Sequence, residues 1–144
     1  MHRATEELIA SGLAERALKA GDMAPAFALN DADGNIVRSA DLLGHGPLVV
    51  TFYRGVWCPY CNLDLQALEA TRPELEARCA KLVAISPQTP PNSGKSQRQN
   101  GLGFPILSDT NSDVAAAFGI RFTLPDYLVD LYKPYECEHR RLKV

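Results

Sequence analysis

A chain of 144 residues that is 46% hydrophobic and 22% charged, with ten Gly and ten Pro, fits one ordinary soluble domain and excludes a disordered or collagen-like polymer. Fifteen Lys and Arg against seventeen Asp and Glu leave a formal charge of −2, which gives no electrostatic footprint for nucleic acid or for an anionic membrane. No apolar run approaches the roughly 20 residues of a spanning helix. The opening residues mix Glu6, Glu7 and Glu15 with Arg3, Arg16 and Lys19, matching neither a secretory nor an organelle-targeting leader, so a cytoplasmic location is expected. Four cysteines without an export signal point to catalysis or metal binding rather than to a disulfide scaffold.

Leu8, Ile9, Leu13, Ala17 and Leu18 recur at helical spacing, which predicts an amphipathic N-terminal helix over residues 5–20, ended by Gly21. Phe27 and Leu29 precede the turn signal Asp31-Ala32-Asp33-Gly34, and Ile36 and Val37 follow it, as in a small hairpin. Ser39 is placed to cap a short helical turn through Leu43. Leu48 to Tyr53 is β-branched and aromatic, the composition of a buried parallel strand. A helical stretch follows from residue 59 to about 79, with Pro73 predicting a kink or break near Thr71-Arg72. Lys81 to Ser86 reads as a second buried strand, so residues 48–86 form one strand–helix–strand crossover. The Pro-rich run Pro87 to Gly94 reads as a loop. A short helix near 95–100, a strand over Phe104 to Leu107, a helix from Ser112 to Phe118 stopped by Gly119, and a helix opened by Leu124-Pro125-Asp126 complete the alternation. That last helix would carry Leu128, Leu131, Tyr132 and Tyr135 on its apolar side. The resulting expectation is an α/β fold with a mostly parallel sheet flanked by helices. Residues 1–22 form an N-terminal helix, 23–135 the domain, and 136–144 a charged tail.

The chemistry concentrates in Tyr53-Arg54-Gly55-Val56-Trp57-Cys58-Pro59-Tyr60-Cys61, where a strand ends and a helix begins. With Cys58 as N-cap, Pro59 falls on the first helical position, where its missing N–H costs nothing. The Cys58 sulfur then faces the free amides of Tyr60 and Cys61 at the positive end of the helix dipole. Helix N-termini and Cys-X-X-Cys motifs bring thiols from about 8.5 to roughly 3.5–7.5. Cys61 lies one turn on, within disulfide reach. Cys58 is expected to be the more exposed, attacking sulfur and Cys61 the resolving one. Arg54 either adds to thiolate stabilisation or steers a substrate. Trp57 and Tyr60 either shape the site or cover it. A zinc site would need Cys79, Cys137 or His139 as further ligands, and these form no second tight pair beyond Cys137-x-His139. No metal or organic cofactor is implied.

These residues resemble the peroxiredoxin-like branch of the thioredoxin superfamily, the alkyl hydroperoxide reductase/thiol-specific antioxidant family. Gly21 to Leu29 is similar to the family's opening strand motif, Thr51 to Cys61 to its active-site segment, and Phe104 to Asp109 to a later strand and turn. The resemblance implies a thioredoxin-like fold and reduction of hydroperoxides, with electrons from a thioredoxin- or glutathione-type donor. The family's Pro and Thr, seven and three residues before the reactive cysteine, are replaced by Thr51 and Gly55, so a thioredoxin-like disulfide reductase with little peroxidase activity is the alternative. The residues after Tyr135 do not resemble the family. The chain is therefore expected to be truncated, without the C-terminal strands and closing helix, and to act as a thiol redox enzyme or, alternatively, as a catalytically impaired fragment serving as an interaction module. Such a chain would leave the outer edge of Leu48 to Tyr53 unpaired and invite a homo-oligomer.

The remaining candidates have plainer readings. Cys79 reads as a small apolar core residue, and Cys137 as an exposed thiol in the tail. His45 reads as a solvated loop residue, and His2 and His139 as terminal bystanders. Gly94-Lys95-Ser96 looks like the end of a phosphate loop, but the glycine required five residues earlier is Thr89.

Overall fold

In the computed structural model, which describes residues 2–132, the strand-forming runs assemble into one five-stranded sheet. β1 (Ala28–Asn30) and β2 (Ile36–Arg38) make an antiparallel hairpin, and β3 (Leu48–Phe52), β4 (Lys81–Ser86) and β5 (Ile106–Ser108) run parallel. The order is β2-β1-β5-β4-β3, with β1 joined to β5 antiparallel. β4 lies inside the sheet, with β3 on one edge and β5 on the other, and Leu82 to Ser86 are all buried. β3 was read as a buried strand. It is the outer strand, its five residues are half-buried, and among the described residues only β4 pairs with it.

The helices are α1 (His2–Ala10), α2 (Leu13–Arg16), α3 (Ser39–Leu43), α4 (Pro59–Ala77), α5 (Pro90–Asn100), α6 (Asp113–Ala117) and α7 (Asp126–Tyr132). The chain divides into two compact units, one formed by Ala26–Thr110 and the other by Met1–Pro25 with Asn111–Val144. The first unit holds the sheet and α3 to α5. Its core is Tyr53, Leu65, Leu82, Ala84, Leu102, Phe104 and Ile106, and burying each large aliphatic side chain contributes about 1.5–3 kcal/mol. In the second unit, Arg3 pairs with Glu7 and stacks over the Tyr127 ring, and the Tyr127 hydroxyl donates to Glu7. Leu128 is buried there and Leu131 is exposed, while Tyr135 and the expected tail lie outside the described residues.

The N-terminal helix does not run over 5–20: it ends at Ala10, because Gly12 takes a left-handed φ of 66°, and α2 is a separate turn closed by an extended Ala17. Ser39 does not cap α3. Its Oγ accepts from the Phe27 amide and its own amide donates to the Phe27 carbonyl, tying off the base of the hairpin. α4 runs through Pro73 as one helix. Across the turn where proline removes an amide bond, Arg72 binds Glu69 on one side and Glu76 on the other, which recovers a small part of that loss. α5 starts at Pro90 rather than near residue 95, since proline suits the first turn of a helix, so Pro90 to Gly94 belongs to the helix rather than to the expected loop.

Cys79 is exposed, not a core residue, and it holds a left-handed φ of 58°. It closes α4: its amide donates to Glu76 and the Ala80 amide reaches back to Leu75, the arrangement in which glycine is usual at this position. The Cys79 carbonyl presses on Gly46, where a Cβ would lie 2.1 Å from that oxygen and where φ is 139°. Two substitutions therefore act with opposite signs in urea unfolding. Gly46→Ala is expected to cost about 2 kcal/mol or more, and Cys79→Gly to stabilise by up to about 1 kcal/mol.

Candidate redox site

Tyr53 ends the β3 run, with its amide donating to Ile85 and its ring in the core, and the chain then turns through Arg54 to Trp57 into α4. Gly55 makes that turn possible. Its φ is 147°, and a Cβ there would lie 2.9 Å from the Trp57 indole nitrogen. Cys58 is the N-cap, extended at φ −90° and ψ 107°, and Pro59 opens the helix as the sequence predicts. Thr51 is half-buried within β3, so it lies outside this loop.

Three donors meet on the Cys58 Sγ. Arg54 Nη2 donates at 3.1 Å, the Cys61 amide at 3.3 Å and the Cys61 thiol at 2.6 Å. Each favours negative charge on that sulfur, and the guanidinium brings a full positive charge. Arg54 is half-buried. Burial works against its charge, yet the Cys58 and Cys61 sulfurs hold its pKa above the ordinary value. Its guanidinium lies 5.4 Å from the centre of the Trp57 ring, a cation–π stack that fixes its approach to the sulfur. Burial first, and then the hydrogen bond it donates to Cys58, push the Cys61 thiol up, against opposing hydrogen bonds from Arg54, so Cys61 keeps its proton.

The exposures are the reverse of the expected ones. Cys58 is 1% exposed and Cys61 is half-buried, since the N-cap sulfur turns in beneath Arg54 and the first helical turn. Trp57 is half-buried in the loop, and Tyr60 is 77% exposed and makes no contact with either sulfur among the hydrogen bonds described.

Sequence reading missed the groups that hold the loop. Gln88, in the β4–α5 connection, accepts from the Val56 amide through Oε1 at 3.0 Å and donates from Nε2 to the Tyr53 hydroxyl at 2.5 Å. Asn62 Nδ2 donates to the Val56 carbonyl at 2.9 Å, and Asn100 in turn donates to Asn62 Oδ1. Val56 is thus gripped at both its N–H and its C=O, which belong to two successive peptide groups of the loop. Burial pushes the Tyr53 hydroxyl up to about 12, so it remains a neutral partner for Gln88. Among the described residues no cluster of three or more His, Cys, Asp or Glu side chains is placed to hold a metal ion, and Cys137 and His139 lie outside them. No helix among the described residues is long and apolar enough to cross a membrane. His45 is exposed.

The AhpC/TSA family profile matches residues 20–136. A putative peroxiredoxin of Mycobacterium tuberculosis is 36% identical over 102 residues, covering 71% of this chain and 64% of that protein. Peroxiredoxin Bcp of Escherichia coli is 34% identical over 103 residues, covering 72% and 65%. The chain thus spans a little under two thirds of the length of these curated relatives. Thiol-disulfide oxidoreductase ResA of Geobacillus thermodenitrificans is 29% identical over 115 residues, covering 79% and 65%. Among solved structures, peroxidoxin BcpB from Mycobacterium tuberculosis superposes with a TM-score of 0.71 at 31% identity, over 74% of this chain and 70% of that one. Peroxiredoxin Q of Xanthomonas campestris, at 23% identity and a TM-score of 0.63 over 68% and 61%, supports the fold alone. With its thioredoxin-like α/β sheet and a cysteine pair opening the helix after β3, this chain belongs to the AhpC/TSA family.

Proposed function

We propose that this chain is a thiol-dependent oxidoreductase that reduces hydroperoxides through Cys58 and Cys61 and is recycled by a thioredoxin- or glutathione-type reductant. The observation that carries this reading is the convergence of three donors on the Cys58 sulfur with a second sulfur 2.6 Å away. The Cys58 thiolate attacks one peroxide oxygen; an S–O bond forms, the O–O bond breaks, and the departing alkoxide leaves as the alcohol after taking a proton. Cys61 then attacks the Cys58 sulfenic acid, the S–S bond forms, and the Cys61 proton leaves with the hydroxyl as water. Because the sulfurs already touch, this closure needs no unwinding of α4. Such a cycle suits a reducing compartment such as the cytoplasm.

Access favours a small oxidant. A sulfur that is 1% exposed is reached by a hydroperoxide after slight movement of Arg54 or Trp57, whereas a protein disulfide would have to bring its own backbone to the same point. The second reading, a protein disulfide reductase, draws on the Trp57-preceded Cys-X-X-Cys and on Thr51 and Gly55 in place of the family's Pro and Thr. Stopped-flow consumption of hydrogen peroxide and of an organic hydroperoxide, set beside reduction of a protein disulfide, separates the two. Peroxide reduction is expected to be the faster, and preferential reduction of the protein disulfide overturns the assignment.

Cys58→Ser is expected to abolish turnover, while Cys61→Ser allows a single oxidation that stalls as sulfenate or mixed disulfide. Normal turnover by Cys61→Ser contradicts the two-cysteine cycle. Arg54→Met removes a hydrogen bond from a charged donor, worth about 1.5–3 kcal/mol, so the oxidation step is expected to slow roughly 10- to 100-fold.

A further inference from the structure

Val56 stands between the two side chains that condition the Cys58 sulfur: Arg54, which donates to it, and Trp57, whose ring carries the guanidinium. Its polar groups are held from the two ends of α5. Gln88, just before that helix, takes the N–H, and the carbonyl is reached by a series of side-chain amides that leads to Asn100, the last residue of the helix.

The series has a direction. Asn62 Nδ2 donates to the Val56 carbonyl at 2.9 Å, which leaves Asn62 Oδ1 turned toward Asn100. Asn100 Nδ2 donates to that oxygen at 3.0 Å and to the Ser96 carbonyl at 2.9 Å, and Asn100 Oδ1 accepts from Gln66 Nε2 at 3.0 Å. Each amide thus has its nitrogen and oxygen assigned by its neighbour. A carboxylate at position 100 reverses the order: Asn62 turns its nitrogen to that carboxylate and offers an oxygen to the Val56 carbonyl, so that two acceptors meet without a proton. Asn100 is itself fixed by the helix stop behind it, where the Leu102 amide returns to the Gln97 carbonyl and the Leu102 side chain enters the core.

We propose that Asn100 is a positioning residue of the redox reaction, acting through Asn62 on the Val56 carbonyl and thereby on the seat of Trp57 and Arg54 beside Cys58. The proposal rests on the reading of Cys58 as the attacking sulfur and adds a control on it from the far end of α5. Its physical basis is that a charged donor loses its hold on a sulfur when its angle or distance drifts, and that small misplacements of a reacting group slow a reaction severely.

The test is a double-substitution cycle in the full chain with Asn100→Leu, Asn62→Leu and the two combined. Two rates are read: oxidation by hydrogen peroxide, followed by the emission of Trp57, the single tryptophan of the chain, and alkylation of Cys58 by iodoacetamide, followed by peptide mapping. Each single substitution is expected to slow both reactions roughly tenfold and to shift the Trp57 emission, and the combination to be no slower than Asn62→Leu alone. Losses that multiply in the combination overturn the proposal, since a role of Asn100 confined to holding Ser96 and Gln66 would add to that of Asn62 and leave the emission unmoved. Asn100→Asp keeps the shape of the side chain and removes the donor; unchanged rates in this variant overturn the proposal even where Asn100→Leu fails to fold. The hydroperoxide reading fails separately: if peroxide leaves the unsubstituted protein unoxidised while alkylation follows the cycle as expected, Asn100 keeps its role and the substrate assignment falls.

Discussion

A sulfur atom at a helix N-terminus, held under a guanidinium and in contact with a second thiol, is the feature on which the other structural choices converge. Charge on that atom is stabilised only if three donors remain aimed at it, and two of them belong to Cys61 and therefore to the first turn of α4. Pro59 suits that turn because the helix begins there without an amide to satisfy. Gly55 permits the approach of Trp57, and Trp57 carries the guanidinium of Arg54 on its ring. Removing any one of these would leave the sulfur in place with its electrostatic environment altered.

The sheet supplies rigidity to this arrangement from a distance. Tyr53 is anchored in the core with Leu65 and Leu82, and its hydroxyl receives the Gln88 amide group, whose oxygen holds the Val56 N–H. Asn62 secures the carbonyl of the same residue from within α4. The loop between strand and helix is thus tied to β3, to the β4–α5 connection and to the helix it precedes.

Much of this was legible in the residues. Alternation of apolar runs with helical stretches located the crossover from Leu48 to Ser86, and Cys58-Pro59 at a strand end fixed the helix start, because proline and an N-cap cysteine each fit only one place there. Other features depend on partners distant in sequence. Gln88 lies 32 residues from Val56 and 35 from Tyr53, and no spacing rule connects them. The adjacent Pro90 and Pro91 suggested a loop although both sit in the first turn of α5, where proline is tolerated. Cys79 looked apolar by residue type, yet its role is a left-handed helix stop, a property of backbone hydrogen bonding that composition does not record. The relative exposure of the two cysteines likewise depends on where Arg54 folds, and it came out opposite to the expectation drawn from helix position alone.

The central claim is that Cys58 and Cys61 act on each other and on no other thiol of the chain. Treating the reduced protein with one equivalent of hydroperoxide and mapping its cysteine peptides by mass spectrometry tests this most directly. The expected result is a single intrachain Cys58–Cys61 link with Cys79 and Cys137 left free; two unreacted thiols at 58 and 61, or a link running to Cys79, to Cys137 or to another chain, would contradict it.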